Sequence, residues 1–281
     1  MAYFVALSDN VHGYQQLVRM LIARGDLVAS RVGDTLELED MTIALNSTEA
    51  VIPFNRTRYS PLLGLMEAAQ LVGGFSDPDA LRLVVPRIGE YTDFYGAYGP
   101  RVKEQLPILV SNLLNDPDSR RGVLEIWSSE LDAAGGHRDH PCTLSITFRH
   151  RNGRLNMSVH MRSNDVWRGW AYDAVQFGIL QRTIANVLDL MPGTYTHHAD
   201  SFHLYCSDLE VATAYVNFPL NNRMSEDGRI SGFGWKGCSL AQAQQDARMA
   251  VAGATPDFLH SHVSRELGEG VRRRKERIAV A

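Results

Sequence analysis

Cysteine is scarce in this chain: there are three, Cys142, Cys206 and Cys238, each alone. That excludes a disulfide-built scaffold and a four-cysteine zinc site, and it fits reduced thiols in a cytosol. Long apolar runs are missing too. No stretch approaches the roughly eighteen residues of a membrane span, and MAYFVALSDN lacks the basic region and apolar core of a secretion signal, so the expectation is a soluble, unprocessed, cytoplasmic protein. Nor is there an excess of one charge. With 28 Lys and Arg against 32 Asp and Glu the formal net charge is −4, so no overall field favours nucleic acid or a membrane, and a bound anion needs a local cluster of cations. Low-complexity linkers and internal repeats are absent, which predicts one domain over 1–281. What the chain does have is 44% hydrophobic residues, enough for a sizeable core and incompatible with disorder, collagen or a coiled coil.

The pattern along the chain is mixed. VHGYQQLVRMLIARG spaces Leu17, Leu21 and Ile22 for a helix with Gly25 at its end, and LVASR and TLELEDMTIAL read as strands about the turn at Gly33-Asp34. SPLLGLMEAAQLVGG reads as a helix capped by Ser60, with Pro61 in its first turn and Gly73-Gly74 closing it. VKEQLPILVSNLLND is helical, DPDSRR is a turn and GVLEIWSS is a strand. CTLSITFRH and RLNMSVHMRS alternate about Asn152-Gly153, a strong hairpin signal. AYDAVQFGILQRTIANVLDL is a long apolar helix stopped at Met191-Pro192-Gly193, and YTHHADSFHLYCSD is strand-like. Helices interleaved with hairpins predict an α+β domain and argue against a doubly wound parallel sheet.

One thiol has telling neighbours. Pro141-Cys142-Thr143 is followed by Arg162-Ser163-Asn164-Asp165, Gly169, Tyr172-Asp173 and His203-Leu204-Tyr205, and is preceded by Arg120-Arg121. In order and spacing this set resembles the thymidylate synthase and pyrimidine-nucleotide hydroxymethylase family, closely from Asp116 to Tyr205 and more weakly from Arg31 to Arg101. The resemblance implies a mixed sheet with surrounding helices and a homodimer formed through the sheet. It also implies 5,10-methylenetetrahydrofolate as co-substrate. Carbon–carbon bond formation at C5 of a pyrimidine needs a thiolate added at C6 to make the ring nucleophilic, and the resemblance gives that part to Cys142. A thiol ionises near pH 8.5 unless positive charge is close, and nearby arginines are expected to supply it.

Further roles follow from the same resemblance. Arg31 in SRVGDT, Arg162 and Ser163 hold the nucleotide phosphate, with Arg120 and Arg121 contributed across the dimer interface; guanidinium suits phosphate because it is planar and always charged. His203 and Tyr205, on one face of a strand, bind the sugar hydroxyl. Glu67, among Leu65, Met66, Ala68 and Ala69, is the general acid and base working through water, and such surroundings suit a raised pKa. Tyr98 assists proton transfer, while Asp165 and Gly169 line the folate pocket. His137, His140, His150, His160, His197 and His198 lack metal-ligand spacing, so no metal is predicted.

Two departures direct the reading. Asp173 stands where synthases acting on dUMP carry asparagine; a carboxyl accepts from the cytosine amino group and, with a proton on itself or on N3, completes a second bond. Mismatching the uracil edge costs roughly 1–3 kcal/mol per unpaired group. Ile88 falls where synthases keep a tryptophan that excludes water, so water adding to the exocyclic methylene on C5 would give a hydroxymethyl product. The expected reaction is therefore dCMP to 5-hydroxymethyl-dCMP, for phage DNA modification or a nucleoside antibiotic. CMP hydroxymethylation, methylation of dUMP and a silent nucleotide- or RNA-binding dimer stay open. The basic segment RRRKERIAVA reads as a solvated helix, with a nucleic-acid contact as the alternative, and GFGWKG is too short for a phosphate loop.

Overall fold

A computed structural model describes residues 2–7, 10–46, 59–219, 237–255 and 261–280. GFGWKG, apart from Gly237, lies outside them. Its strands form one mixed sheet. β1 (Tyr3–Ala6) runs parallel to β3 (Thr35–Asn46), whose start also pairs with the short β2 (Asp26–Val28). β3 lies antiparallel to β8 (Met191–Tyr205), and β8 runs parallel to β6 (Arg154–Met161). β5 (Thr143–Arg151) and β4 (Gly122–Glu125) complete the order antiparallel, and β7 (Asn164–Asp165) pairs with the end of β8. The expected hairpin is there: Asn152 and Gly153 have φ of 52° and 70°, as a two-residue primed turn requires.

Alternation sets the two sides of the sheet. In register, Ile43, His197, Val159 and Ile146 make one buried row, and Leu45, Tyr195, Met157 and Phe148 the next. Two helices cover this side, α1 (Asn10–Arg24) and, centrally, α7 (Ala171–Val187), which is buried from Ala171 to Ala185, and α2 (Pro61–Gly73) packs on α7 in turn. A helix enclosed all round must be apolar all round, hence the weak periodicity of α7. On the other side Thr42, His198 and His160 lie side by side, partly or fully exposed.

The helix signals at α2 act as expected. Ser60 Oγ accepts from Leu63 N, and Gly74 adopts the left-handed conformation at φ 67°. α7 ends before the Met191-Pro192-Gly193 stop, because Asp189 turns left-handed (φ 56°) and Leu190 N bonds back to Ala185 O at 2.8 Å, a Schellman closure that frees Met191 to begin β8.

Further helices are α3 (Pro78–Val84), α4 (Tyr98–Val102), α5 (Gln105–Asn115), α6 (Ser129–Asp132), α8 (Leu209–Asn217), α9 (Leu240–Val251) and α10 (His262–Val280). The basic segment is helical, in α10, but its cations are not simply solvated. Lys275 donates to Ala252 O and Arg272 to Ala254 O, at the end of α9, while Arg274 donates to Leu83 O near the end of α3. These are cations at the negative ends of helices. None of the helices in the described residues is long and apolar enough to cross a membrane.

Candidate active site

Between α2, α7 and the cleft-side ends of β3, β7 and β8 lies a cavity of about 670 Å³. Cys142, Glu67, Tyr98 and Asp173 all line it, although α2 and α7 carry two of them from opposite walls. So do Arg31, Arg162, Ser163, His203 and Tyr205 at its polar side, and Ile88, Asp165 and Gly169. Arg120 and Arg121 do not: both are exposed on the turn before β4, and Arg121 makes only a loose pair with Asp116 at 3.6 Å.

The floor is dominated by buried acids with no cation on them. Glu67 projects from α2 into the enclosed part of the cavity, and burial, helped by Asp173 and Asp139, raises its pKa to about 8. Asp173, in the first turn of α7, is 6% exposed; burial raises its pKa to about 7 against the opposing pull of two amides. Asn164 Nδ2 donates to Asp173 Oδ2 at 2.7 Å and Gln176 Nε2 to Oδ1 at 2.9 Å. Burial, Asp173 and Cys142 also lift the Tyr98 phenol above its usual range.

Behind Asp173 runs a chain that the sequence did not reveal. His197 is fully buried, and burial lowers its pKa to about 3, so the ring is neutral. Its Nε2 lies 3.1 Å from Asn164 Oδ1 and its Nδ1 2.9 Å from Tyr195 OH. With Asn164 donating forward to Asp173, His197 must carry its proton on Nε2 and accept from Tyr195 at Nδ1. Three side chains from β7 and β8 thus point donors toward one carboxyl. Gly169 leaves room for it: a Cβ there would come within 3.2 Å of Asn164 Nδ2 and 3.5 Å of Asp173 Oδ2.

The cysteine departs from expectation. Arg162 does draw its pKa down, but burial together with Asp173, Asp139 and Asp165 pushes it up to about 11. The expected arginine effect is outweighed, and the thiol rests protonated. Arg162 instead organises the loop: Nε donates to Pro141 O at 3.1 Å, Nη2 to His140 O at 3.2 Å, and its amide to Cys142 O at 2.9 Å. Tyr98 is held against α2 by Gly99, where a Cβ would fall 2.1 Å from Phe75 O.

At the other end Asp165 Oδ1 caps the short π-helix Val166–Trp170, accepting from Trp167 N and Arg168 N. Its Oδ2 is buried and accepts no hydrogen bond among the described residues; Arg168 Nε is 4.0 Å away. Asp165 lines the same cleft as Ile88, Phe94, Leu81 and Phe75, which gives that part of the cleft an apolar wall with an acidic residue at its edge. Elsewhere, Asp40, His198 and Asp200 bring possible ligand atoms within 4.8 Å of one another. This grouping comes from pairing β3 with β8 and is invisible to local spacing; it lies on the exposed side of the sheet, away from the cleft.

Residues 87–223 match the family profile for thymidylate synthase. The chain is 33% identical over 175 residues to the deoxyuridylate hydroxymethyltransferase of Pseudomonas phage M6, covering 58% of this chain and 50% of that protein. It is 27% identical over 222 residues to the deoxyuridylate hydroxymethyltransferase of Bacillus phage SP01, covering 69% and 57%. The bifunctional dihydrofolate reductase-thymidylate synthase of Zea mays is 32% identical over 117 residues, 41% of this chain and 22% of that one. The chain thus spans about half the length of the phage relatives it matches.

Proposed function

Since the chain belongs to the thymidylate synthase and pyrimidine-nucleotide hydroxymethylase family, we propose that it transfers a one-carbon unit to C5 of a pyrimidine nucleotide and leaves it as hydroxymethyl, with dCMP as the preferred substrate. The observation that carries this reading is the convergence of Cys142, Glu67, Tyr98 and Asp173 on one enclosed cleft. Methylenetetrahydrofolate, the second substrate, supplies the carbon, and Asp165 with the apolar wall around Ile88 would receive its ring.

Cys142 Sγ adds to C6 of the base. Because the resting thiol is protonated, addition and proton loss go together, and the neutral acids of the floor protonate the ring as the sulfur bonds. Glu67, with a pKa of about 8, gives and takes protons near neutral pH. Arg31, Arg162 and Ser163 hold the phosphate, His203 and Tyr205 the sugar. Arg120 and Arg121 reach the phosphate of a second copy, so the protein works as a homodimer through the uncovered side of the sheet, each subunit one domain over 1–281. Their exposure outside their own cleft supports that assignment.

Asp173 chooses the base. Protonated, it accepts from the cytosine amino group and donates to N3. A second reading has its own support: the phage relatives are named for deoxyuridylate, and with a pKa of about 7 the neutral carboxyl also offers O–H to O4 and C=O to N3–H of uracil. Incubation with methylenetetrahydrofolate and dCMP, CMP or dUMP in turn, with products identified by mass, decides. Hydroxymethyl-dCMP is the expected major product; a methyl product, or turnover of dUMP alone, overturns the preferred reading.

A further inference from the structure

Five carboxyls line the cleft, and four are accounted for: Glu67, Asp165 and Asp173 as above, and Glu37, which accepts from Ser201 on the sugar side. The fifth, Asp139, belongs to no motif. It sits three residues before Cys142, on the loop that Arg162 ties down through His140 O and Pro141 O. Facing it is the turn that carries Ile88. Thr92 N bonds to Ile88 O at 3.2 Å, Thr92 Oγ1 donates to Asp139 Oδ2, and Gly96 N–H, two residues before Tyr98, donates to the same carboxyl. A Cβ on Gly96 would lie 2.9 Å from Asp139 Oδ1, so only glycine lets that amide come so close. Asp139 is thereby fixed between the residue 88 turn and the nucleophile loop, with acceptor capacity to spare, since a carboxylate accepts about four hydrogen bonds.

Resting on the reaction proposed above, we propose that Asp139 binds and deprotonates the water that adds to the exocyclic methylene on C5. Replacing a bulky aromatic by Ile88 admits water but does not aim it; a carboxyl hydrogen-bonded to that same turn does. In the step, the water oxygen bonds to the methylene carbon and one water proton passes to Asp139. The electron pair of the exocyclic double bond moves into the ring, re-forms C5=C6 and expels Cys142 as thiolate. Burial and the nearby Asp93 raise the Asp139 pKa from its ordinary value, which strengthens it as a base near neutral pH.

By microscopic reversibility the step runs without folate: the hydroxyl of 5-hydroxymethyl-dCMP or 5-hydroxymethyl-dUMP should exchange with ¹⁸O water on the enzyme. Asp139→Asn is expected to slow this exchange about a hundredfold while releasing tritium from C5 within a few-fold of the parent rate. In the forward reaction with 2-mercaptoethanol, its product should shift from the hydroxymethyl nucleotide to the thioether, because a thiol needs less help than water to trap the methylene. Unchanged exchange and product ratio overturn the proposal. So does a parallel fall in tritium release and exchange, which would make Asp139 a support of the loop alone. Thr92→Val, which keeps the carboxyl and removes one donor, should move the product ratio the same way by a smaller factor, and decides the matter if the asparagine variant does not fold. Failure of the parent to make any hydroxymethyl product refutes the reaction itself, a result separate from the role of Asp139.

Discussion

Asp132 and Asp173 are both buried aspartates, 3% and 6% exposed, yet they are opposites. Asp132 receives Arg101 Nη1 and Nη2 at 2.7 and 2.9 Å and Ser128 N at 2.8 Å, and its pKa is lowered despite burial. Asp173 receives only neutral amides, and its pKa rises to about 7. A fork of positive charge repays desolvation and locks one carboxylate into the frame that holds α4 to α6. Without that fork, the other stays a neutral acid able to exchange its proton with a substrate. What separates a structural acid from a reactive one here is the charge of its donors together with how completely the carboxyl is desolvated.

The largest expected effect lies in the cleft. Cys142→Ser should cut product formation on the order of 10⁴-fold or more and abolish C5 hydrogen exchange, with little change in a urea melt; retained activity would name another nucleophile. On the structural side, Asp132→Asn strands Arg101 and should cost about 3–5 kcal/mol of stability by urea unfolding. If Asp173→Asn costs as much, the contrast fails. That variant should instead shift the kcat/KM ratio toward dUMP, by about tenfold to a thousandfold.

Their pH dependences should have opposite signs. Asp173 and Glu67 keep protons in the folded state up to about 7 and 8 that the unfolded chain releases near pH 4, so stability declines as pH rises through that window. The contribution of Asp173 is on the order of 4 kcal/mol, and Asp173→Asn should flatten the decline. The lowered pKa of Asp132 makes its contribution complete above its ordinary value and lost as pH falls through the folded one. Smaller still, Arg274→Ala removes one helix-end contact and should cost about 0.5–1 kcal/mol. A mixture of Arg121→Ala and Cys142→Ser chains should regain activity that neither has alone, since a mixed dimer contains one intact cleft; no recovery would remove Arg121 from the partner's site.

Local chemistry was legible in the sequence. The hairpin at Asn152-Gly153, the caps at Ser60 and Gly74, and the enclosed helix α7 all rest on conformational preferences of a few adjacent residues. The candidate site was legible where its residues fall in ordered strings, as Arg162 to Asp165 do. Asp139, His197 and Tyr195 were not, because their partners lie on other strands or loops and leave no spacing to read. The thiol was misjudged for a related reason: what outweighs Arg162 is first burial, with Asp173 on α7 and Asp139 on the loop of Cys142 itself adding to it, and burial leaves no spacing to read.

The sequence by itself determined which residues form strands, helices and turns, and which thiol among three stands in a reactive order. Only the tertiary structure decided the protonation of that thiol and of the acids around it. Ionisation depends on burial and on the summed field of neighbours, and both exist only once α2, α7 and the sheet have closed over the cleft.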